Sequence, residues 1–250
     1  MPVCYDILWK GRLDLKRLTW KFDPSWTYDL PPELEKARTT IWRQATKDFP
    51  HIYDGELLCL TSYHLEANES KLSVGTIRFS QMMVHERLNI PIHDGYGSLG
   101  VQVAIFTDDR RHLLVGERSQ KSDYRPGWWT LPGGIFEVAD VNGSINKAIN
   151  REMKEEVALK LHQSFILRAM LKMHPHTSTA LLVEAQIAQG EAIDVSRPVR
   201  GNEEWEEKTL RWLPCLELPH LDHERIFDGL DFIAGEWRAF LKKERSLFFD

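Results

Sequence analysis

A mixed α/β fold is predicted by three features of this sequence. Short apolar runs of strand length come in pairs joined by turn residues, at 56–65 with 71–79, 99–107 with 112–118, and 165–173 with 180–188. Longer stretches at 33–47, around 145–157 and at 227–243 carry helical composition or periodicity instead. The two kinds of segment are interleaved along the chain, as an α/β mixed-sheet protein requires.

Residues 3–28 alternate weakly, through Val3, Tyr5, Ile7 and Trp9 and then Leu13, Leu15 and Leu18, and read as short strands. Pro31 and Pro32 stand where a helix can begin, with acids early in 33–47, and Phe49-Pro50 ends it. Tyr53-Asp54-Gly55 is a turn into the first strand pair, which reverses at Ala67-Asn68-Glu69-Ser70. Residues 81–97 fit neither template cleanly, and Asp94-Gly95-Tyr96-Gly97 reads as a linker. The expected division is therefore a β-rich extension or small α+β domain at 1–97 and a second domain at 98–250.

Beyond the linker, the second strand pair turns at Asp108-Asp109-Arg110-Arg111. A polar loop then leads through Trp128 and Trp129 to Leu131-Pro132-Gly133-Gly134, read as a glycine turn. The third pair turns at residues 174–179, where His174-Pro175-His176 reads as an exposed turn, since two histidines fall short of a four-ligand metal site. Residues 190–208 form a long acidic loop before a short strand at 210–213, and the last helix sets Leu230, Ile233, Trp237 and Leu241 on one side.

The chain has 250 residues, 42% of them apolar and 28% charged, ordinary proportions for a globular protein. A net charge of -5 argues against a general nucleic-acid polymer or anionic-membrane binder, and no apolar run has the length of a membrane span. The first residues have neither a basic nor an apolar leader region. Three scattered cysteines, Cys4, Cys59 and Cys215, indicate neither a disulfide framework nor a zinc cluster and point to a reducing, cytoplasmic setting. Oligomeric state is not legible, and a homodimer is left open.

The chemistry-bearing cluster is Arg151-Glu152-Met153-Lys154-Glu155-Glu156. Like charges three and four apart oppose one another on a helix. At about 100° per residue, Glu152 and Glu156 fall within about 20° of Ile145, on the side of Ile149, Met153 and Val157. Glu155 lies beside them, whereas Lys147, Arg151 and Lys154 face the other way. Carboxylates directed at protein need a counter-charge, and a divalent metal is the natural one.

With Trp129-Thr130-Leu131-Pro132-Gly133-Gly134 before it and Val157-Ala158-Leu159 after it, this cluster resembles the Nudix hydrolases. The likeness runs from about residue 99 to 243 and includes the strand ending at Arg118 and the later Arg211-Trp212-Leu213-Pro214. Three departures stand out. The family's box places thirteen residues between its second glycine and its arginine, but sixteen lie here, Ile135 to Asn150. Counting back from Arg151 puts Gly143 where the family has its first glutamate, leaving Asp140 or Glu137 to supply that charge. Ala158 replaces the glycine after the Glu-Glu pair, so the helix is expected to end differently or run further.

The resemblance implies an α/β/α sandwich and hydrolysis of the diphosphate linkage of a nucleoside diphosphate joined to another group. It implies Mg2+, or Mn2+ in its place, held by Glu152, Glu155, Glu156 and a main-chain carbonyl at Gly134. Arg151 is expected to orient the carboxylates, and Arg118, then Lys121 and Arg125, to grip phosphate. Trp129 is a candidate for stacking on a base, and Glu204, Glu206 or Glu207 for a general base delivered by the acidic loop. The expected partner is thus a small-molecule nucleotide substrate.

Ile41-Trp42, Phe49-Pro50, Tyr53-Asp54-Gly55 and Leu60-Thr61-Ser62-Tyr63 also resemble the N-terminal region of family members that hydrolyse UDP-glucose and UDP-galactose. Those members have an enlarged box loop too. ADP-ribose or a related dinucleotide is the rival substrate, and a non-cleaving nucleotide sensor is the rival class.

Overall fold

The computed structural model describes residues 5–66, 69–93, 95–118, 126–157, 159–173, 177–188, 194–196, 199, 209–221 and 225–242. In chain order the elements are β1 (Tyr5–Asp14), β2 (Leu18–Thr27), α1 (Pro32–Asp48), β3 (Glu56–Leu65), β4 (Ser70–Arg78), α2 (Phe79–Leu88), β5 (Ser98–Phe106) and β6 (His112–Glu117). They continue with β7 (Trp129–Thr130), β8 (Gly133–Ile135), α3 (Ile145–Glu156), β9 (Leu161–Met173), β10 (Ser178–Ile187), β11 (Thr209–Pro214) and α4 (Asp228–Leu241). Short 3₁₀ segments at Leu15–Arg17, Val138–Asn142 and Cys215–His220 connect some of them.

The eleven strands share one mixed sheet, whose main path is β1-β9-β10-β5-β3-β4-β2. β5 runs parallel to β10, and β2 parallel to β4; the other pairs are antiparallel. On its other side β5 meets three strands in succession, β3 at Ser98, β8 at Gly100–Gln102 and β6 at Phe106. Every β5 residue is buried, which suits a continuous apolar run in the middle of a sheet.

Helices cover both faces. Alternate residues of β5 point to opposite sides, so Leu99, Val101, Val103 and Ile105 pack with Ile145, Ile149 and Met153 of α3. Ala104 and Phe106 pack with Leu230 and Ile233 of α4. A third cluster joins Tyr28, Leu57, Ile77 and Met82 near α1 and α2. This is the expected α/β/α arrangement. Of the segment 81–97, which fitted neither template, residues 81–88 belong to α2, stopped by Asn89 at φ 55°. Local periodicity hid it because five of its ten residues are buried, so it lacks a clear polar face.

Two expected connections look different. Gly133-Gly134 is not a turn but the start of β8, hydrogen-bonded alongside Val101 and Gln102. Its glycines are needed for close approach and not for positive φ. At the other end of α3, Val157 caps the helix in an extended conformation, its N–H donating to the Met153 carbonyl. Ala158 lies outside the described residues, as do residues 67 and 68 of the β3–β4 turn, Asp94, His174-Pro175-His176, and 201–208 of the acidic loop.

Strands from before residue 97 are built into the same sheet as those after it. β1 pairs with β9, β3 touches β5, and Leu13, Leu15 and Leu18 share a core with α3. The segment β1–β2 thus lies beside the acidic helix.

Candidate active site on the acidic helix

α3 begins where the Ser144 hydroxyl accepts the Lys147 N–H, an N-cap that follows the loop after β8. Its apolar residues Ile145, Ala148, Ile149 and Met153 anchor one side in the core. Glu152 lies among them and is only 6% exposed. Burial pushes its carboxyl up to about 7, against the opposing pull of the Arg151 guanidinium. Glu155 has a side chain 40% exposed, Glu156 is half-buried, and Lys154 faces solvent.

Arg151 ties the cluster together. Its Nε and Nη2 donate to Oδ1 and Oδ2 of Asp140 at 3.1 and 2.8 Å, a bidentate pair. Nη2 also donates to Glu152 Oε1 at 2.6 Å, and Nη1 to Glu155 Oε2 at 2.9 Å. Hydrogen bonding to Asp140 is the main cause that raises the Arg151 pKa above its ordinary value, so it stays a cation. Three carboxylates share one guanidinium, and the cluster carries excess negative charge when all are ionised.

The loop between β8 and α3 places the two candidates for the missing box charge differently. Asp140, not Glu137, pairs with Arg151, and its side chain is 7% exposed. Counting forward from Gly134 with the family's spacing reaches Asp140; counting back from Arg151 reached Gly143. On the forward count the additional residues follow Asp140, which lies in the 3₁₀ segment Val138–Asn142. Glu137 instead accepts a hydrogen bond from the Tyr53 hydroxyl at 2.7 Å. Gly143 has φ of -125°, and its carbonyl accepts the Trp20 indole N–H at 3.0 Å.

Gly134 lies directly against the cluster. A Cβ added there would sit 1.9 Å from Glu152 Oε2, so the absence of a side chain gives the carboxylate its place. At Gly133 the same atom would meet the Val101 carbonyl oxygen at 2.0 Å, in the adjoining strand.

The donor chemistry fits a hard divalent ion: carboxylate oxygens on one helix, next to a main chain stripped of side chains. Among the described residues no three His, Cys, Asp or Glu side chains form a ready metal cage. Glu152 and Glu155 converge on Arg151, and an arriving ion would compete with that guanidinium for their oxygens.

The remaining candidates are more scattered. Arg118 follows β6, its N–H bonded to the Trp128 carbonyl and its guanidinium 5.7 Å from the centre of the Phe227 ring. Trp128 meets the same Phe227 edge-on. Trp129, in β7, is half-buried with Arg211 over its ring at 4.1 Å. Lys121, Arg125, Glu204, Glu206 and Glu207 lie outside the described residues. Sequence reasoning gave no role to Trp20 or to the Tyr53 hydroxyl, because both reach the loop from more than eighty residues away in the chain.

The family model described as NUDIX domain matches residues 98–230, which include the whole of this cluster. No curated protein matches the chain. Among solved structures, a MutT studied from Aliivibrio salmonicida and Vibrio cholerae is 18% identical with TM-score 0.43, the match covering 57% of this chain and 98% of that one. A MutT NUDIX hydrolase from Burkholderia pseudomallei is 22% identical with TM-score 0.41, covering 56% and 96%. The NUDIX domain of Shewanella oneidensis NrtR, solved with ADP ribose, is 17% identical with TM-score 0.44, covering 62% and 96%.

Proposed function

We infer the reaction from one premise: the chain belongs to the NUDIX family and is a pyrophosphatase of the nucleoside diphosphate-X hydrolase kind. Its substrate is a small nucleotide in which a diphosphate links a nucleoside to a second group, and its cofactor is a divalent metal ion. Within that class we propose Mg2+, with Mn2+ able to replace it, held by Glu152, Glu155, Glu156 and the main chain at Gly134.

The observation that carries this reading is the Glu152 carboxylate, buried and pressed against Gly134 on a helix with two further glutamates. A bound ion would neutralise the diphosphate and acidify a coordinated water. Asp140 holds the Arg151 guanidinium in both directions, and Arg151 in turn holds Glu152 and Glu155. Arg151 is accordingly a positioning group, and the glutamates touch the reacting assembly. Arg118, with Lys121 and Arg125 behind it, is proposed to grip phosphate, and Trp129 to contact the base. Glu204, Glu206 and Glu207 are the proposed sources of a loop base.

For the second group we propose a sugar, making the substrate a UDP-sugar. Support comes from the N-terminal likeness to UDP-sugar hydrolysing members and from a lengthened box loop. The test is turnover of UDP-glucose, UDP-galactose and ADP-ribose with Mg2+, for the wild type and Glu156→Gln. UDP-sugar cleavage that drops at least about 10²-fold in the variant is expected, given the loss of a charged ligand from the site. Strong ADP-ribose cleavage without UDP-sugar cleavage would remove the sugar assignment. Nucleotide binding with no turnover on any of them would replace the enzyme with a sensor.

A further inference from the structure

The segment 136–143 carries Asp140; the Phe136 N–H is anchored to the Leu99 carbonyl of β5 at 2.9 Å, and further contacts come from residues that precede residue 66. At its front, the Leu58 N–H donates to the Phe136 carbonyl at 2.8 Å, and Leu57 and Glu137 form an antiparallel bridge. The Tyr53 hydroxyl donates to Glu137 Oε1 at 2.7 Å. At its rear, Trp20 of β2 donates its indole N–H to the Gly143 carbonyl at 3.0 Å. The Trp20 ring also meets Phe136 edge-on at 5.6 Å between centres.

Between these two fixed ends lies a short 3₁₀ segment, Val138–Asn142, closed on itself by the Glu137 N–H donating to Asp140 Oδ2 at 2.9 Å. The same Oδ2 takes the Arg151 bond. Movement at either end of the segment is therefore passed through Asp140 to Arg151, and from Arg151 to Glu152 and Glu155. A lengthened loop gains freedom with every added residue. An outside brace removes it.

We propose that Tyr53 and Trp20 are positioning residues for the active site: the N-terminal segment braces the lengthened box loop and thereby sets the carboxylates of α3. This rests on the hydrolase reading above. Neither side chain is asked to touch substrate, so loosening the brace changes how well the carboxylates hold an ion and support turnover, while substrate affinity is left alone. Two contacts have a purely polar component that can be removed without cutting the ring. Tyr53 is 66% exposed, so loss of its hydroxyl opens no core cavity. Phenylalanine at position 20 keeps an aromatic ring for Phe136.

The experiment uses the full chain with Tyr53→Phe, Trp20→Phe and the pair together. Mn2+ binding without nucleotide is followed by the loss of the free-ion paramagnetic resonance signal. kcat and KM are measured on the best substrate of the wild type, and thermal midpoints control for folding. The expected result is Mn2+ binding weakened about 3–10-fold and kcat lowered about tenfold in each single variant, in line with the steep dependence of catalysis on sub-ångström placement. KM stays within about twofold. Glu137→Gln, which keeps an acceptor for Tyr53, retains at least half of the wild-type Mn2+ affinity. Wild-type Mn2+ affinity in both single variants would overturn the proposal, as would a KM change with unaltered kcat. If the wild type cleaves no nucleoside diphosphate derivative, the hydrolase reading fails by itself, and the Mn2+ titration still decides the brace.

Discussion

At Gly133 and Gly134, one added methyl group separates two roles. Alanine at Gly133 meets a main-chain oxygen of β5 at 2.0 Å, which cannot turn aside. Gly133→Ala should therefore cost about 3 kcal/mol, the upper end for overpacking, visible in urea unfolding. Alanine at Gly134 meets the end of the Glu152 side chain, which can move. Gly134→Ala should fold with a thermal midpoint near wild type yet lose about 10²-fold in kcat because the carboxylate is displaced. His85 offers a test of a different kind. It is fully buried, its Nδ1–H donating to the Ile90 carbonyl at 3.1 Å while Nε2 accepts from the Tyr28 hydroxyl at 2.8 Å. Burial lowers its pKa below the ordinary 6.5, so the unfolded chain takes up the proton first as pH falls. Stability from this histidine is complete above about 6.5 and declines below it. Chemical denaturation between about pH 7.5 and 5 should show a shallower decline in His85→Gln than in the wild type, and equal slopes would refute the assignment.

The acidic helix and its loop behave as one unit, because Asp140 and Arg151 join them across eleven residues. Asp140→Asn removes the charge that faces the guanidinium but leaves Arg151 with Glu152 and Glu155. It should lower stability by about 1–3 kcal/mol, as read from the denaturation midpoint, and weaken Mn2+ binding as well. The existence of α3 and its carboxylate side were legible because a 3.6-residue period is local information. That Glu152 is buried and Glu156 only half-buried was not, since the difference arises from β8 and the β1–β2 segment packed against the helix. The role of Asp140 was half legible. Its spacing from Gly134 fits the box, but its bidentate pairing with Arg151 is a tertiary fact that spacing does not reveal. α2 escaped notice because tertiary burial, not amphipathic pattern, supports it.

Across the whole molecule, strands from both sides of the proposed division at residue 97 share one sheet. β1 is hydrogen-bonded to β9, and a single core joins Leu13, Leu15 and Leu18 to Ile145 and Ile149. Scanning calorimetry of the full chain should give one cooperative transition, and two well-separated peaks would show that the segments fold independently. No described helix is long and apolar enough to cross a membrane. Cys59 and Cys215 are buried with thiols pushed up to about 12 by burial, which leaves them little thiolate to react at neutral pH. The fold so far as it concerns function is a scaffold that presses Glu152 of α3 against a stripped main chain at Gly134, with Glu155 and Glu156 on the same helix. The most direct test is a Mg2+ titration of turnover on the best nucleoside diphosphate substrate, comparing the wild type with Glu152→Gln. Saturable activation that EDTA abolishes, with kcat down at least about 10²-fold in the variant, is the predicted result. Turnover that ignores both Mg2+ and the loss of the Glu152 charge would contradict it.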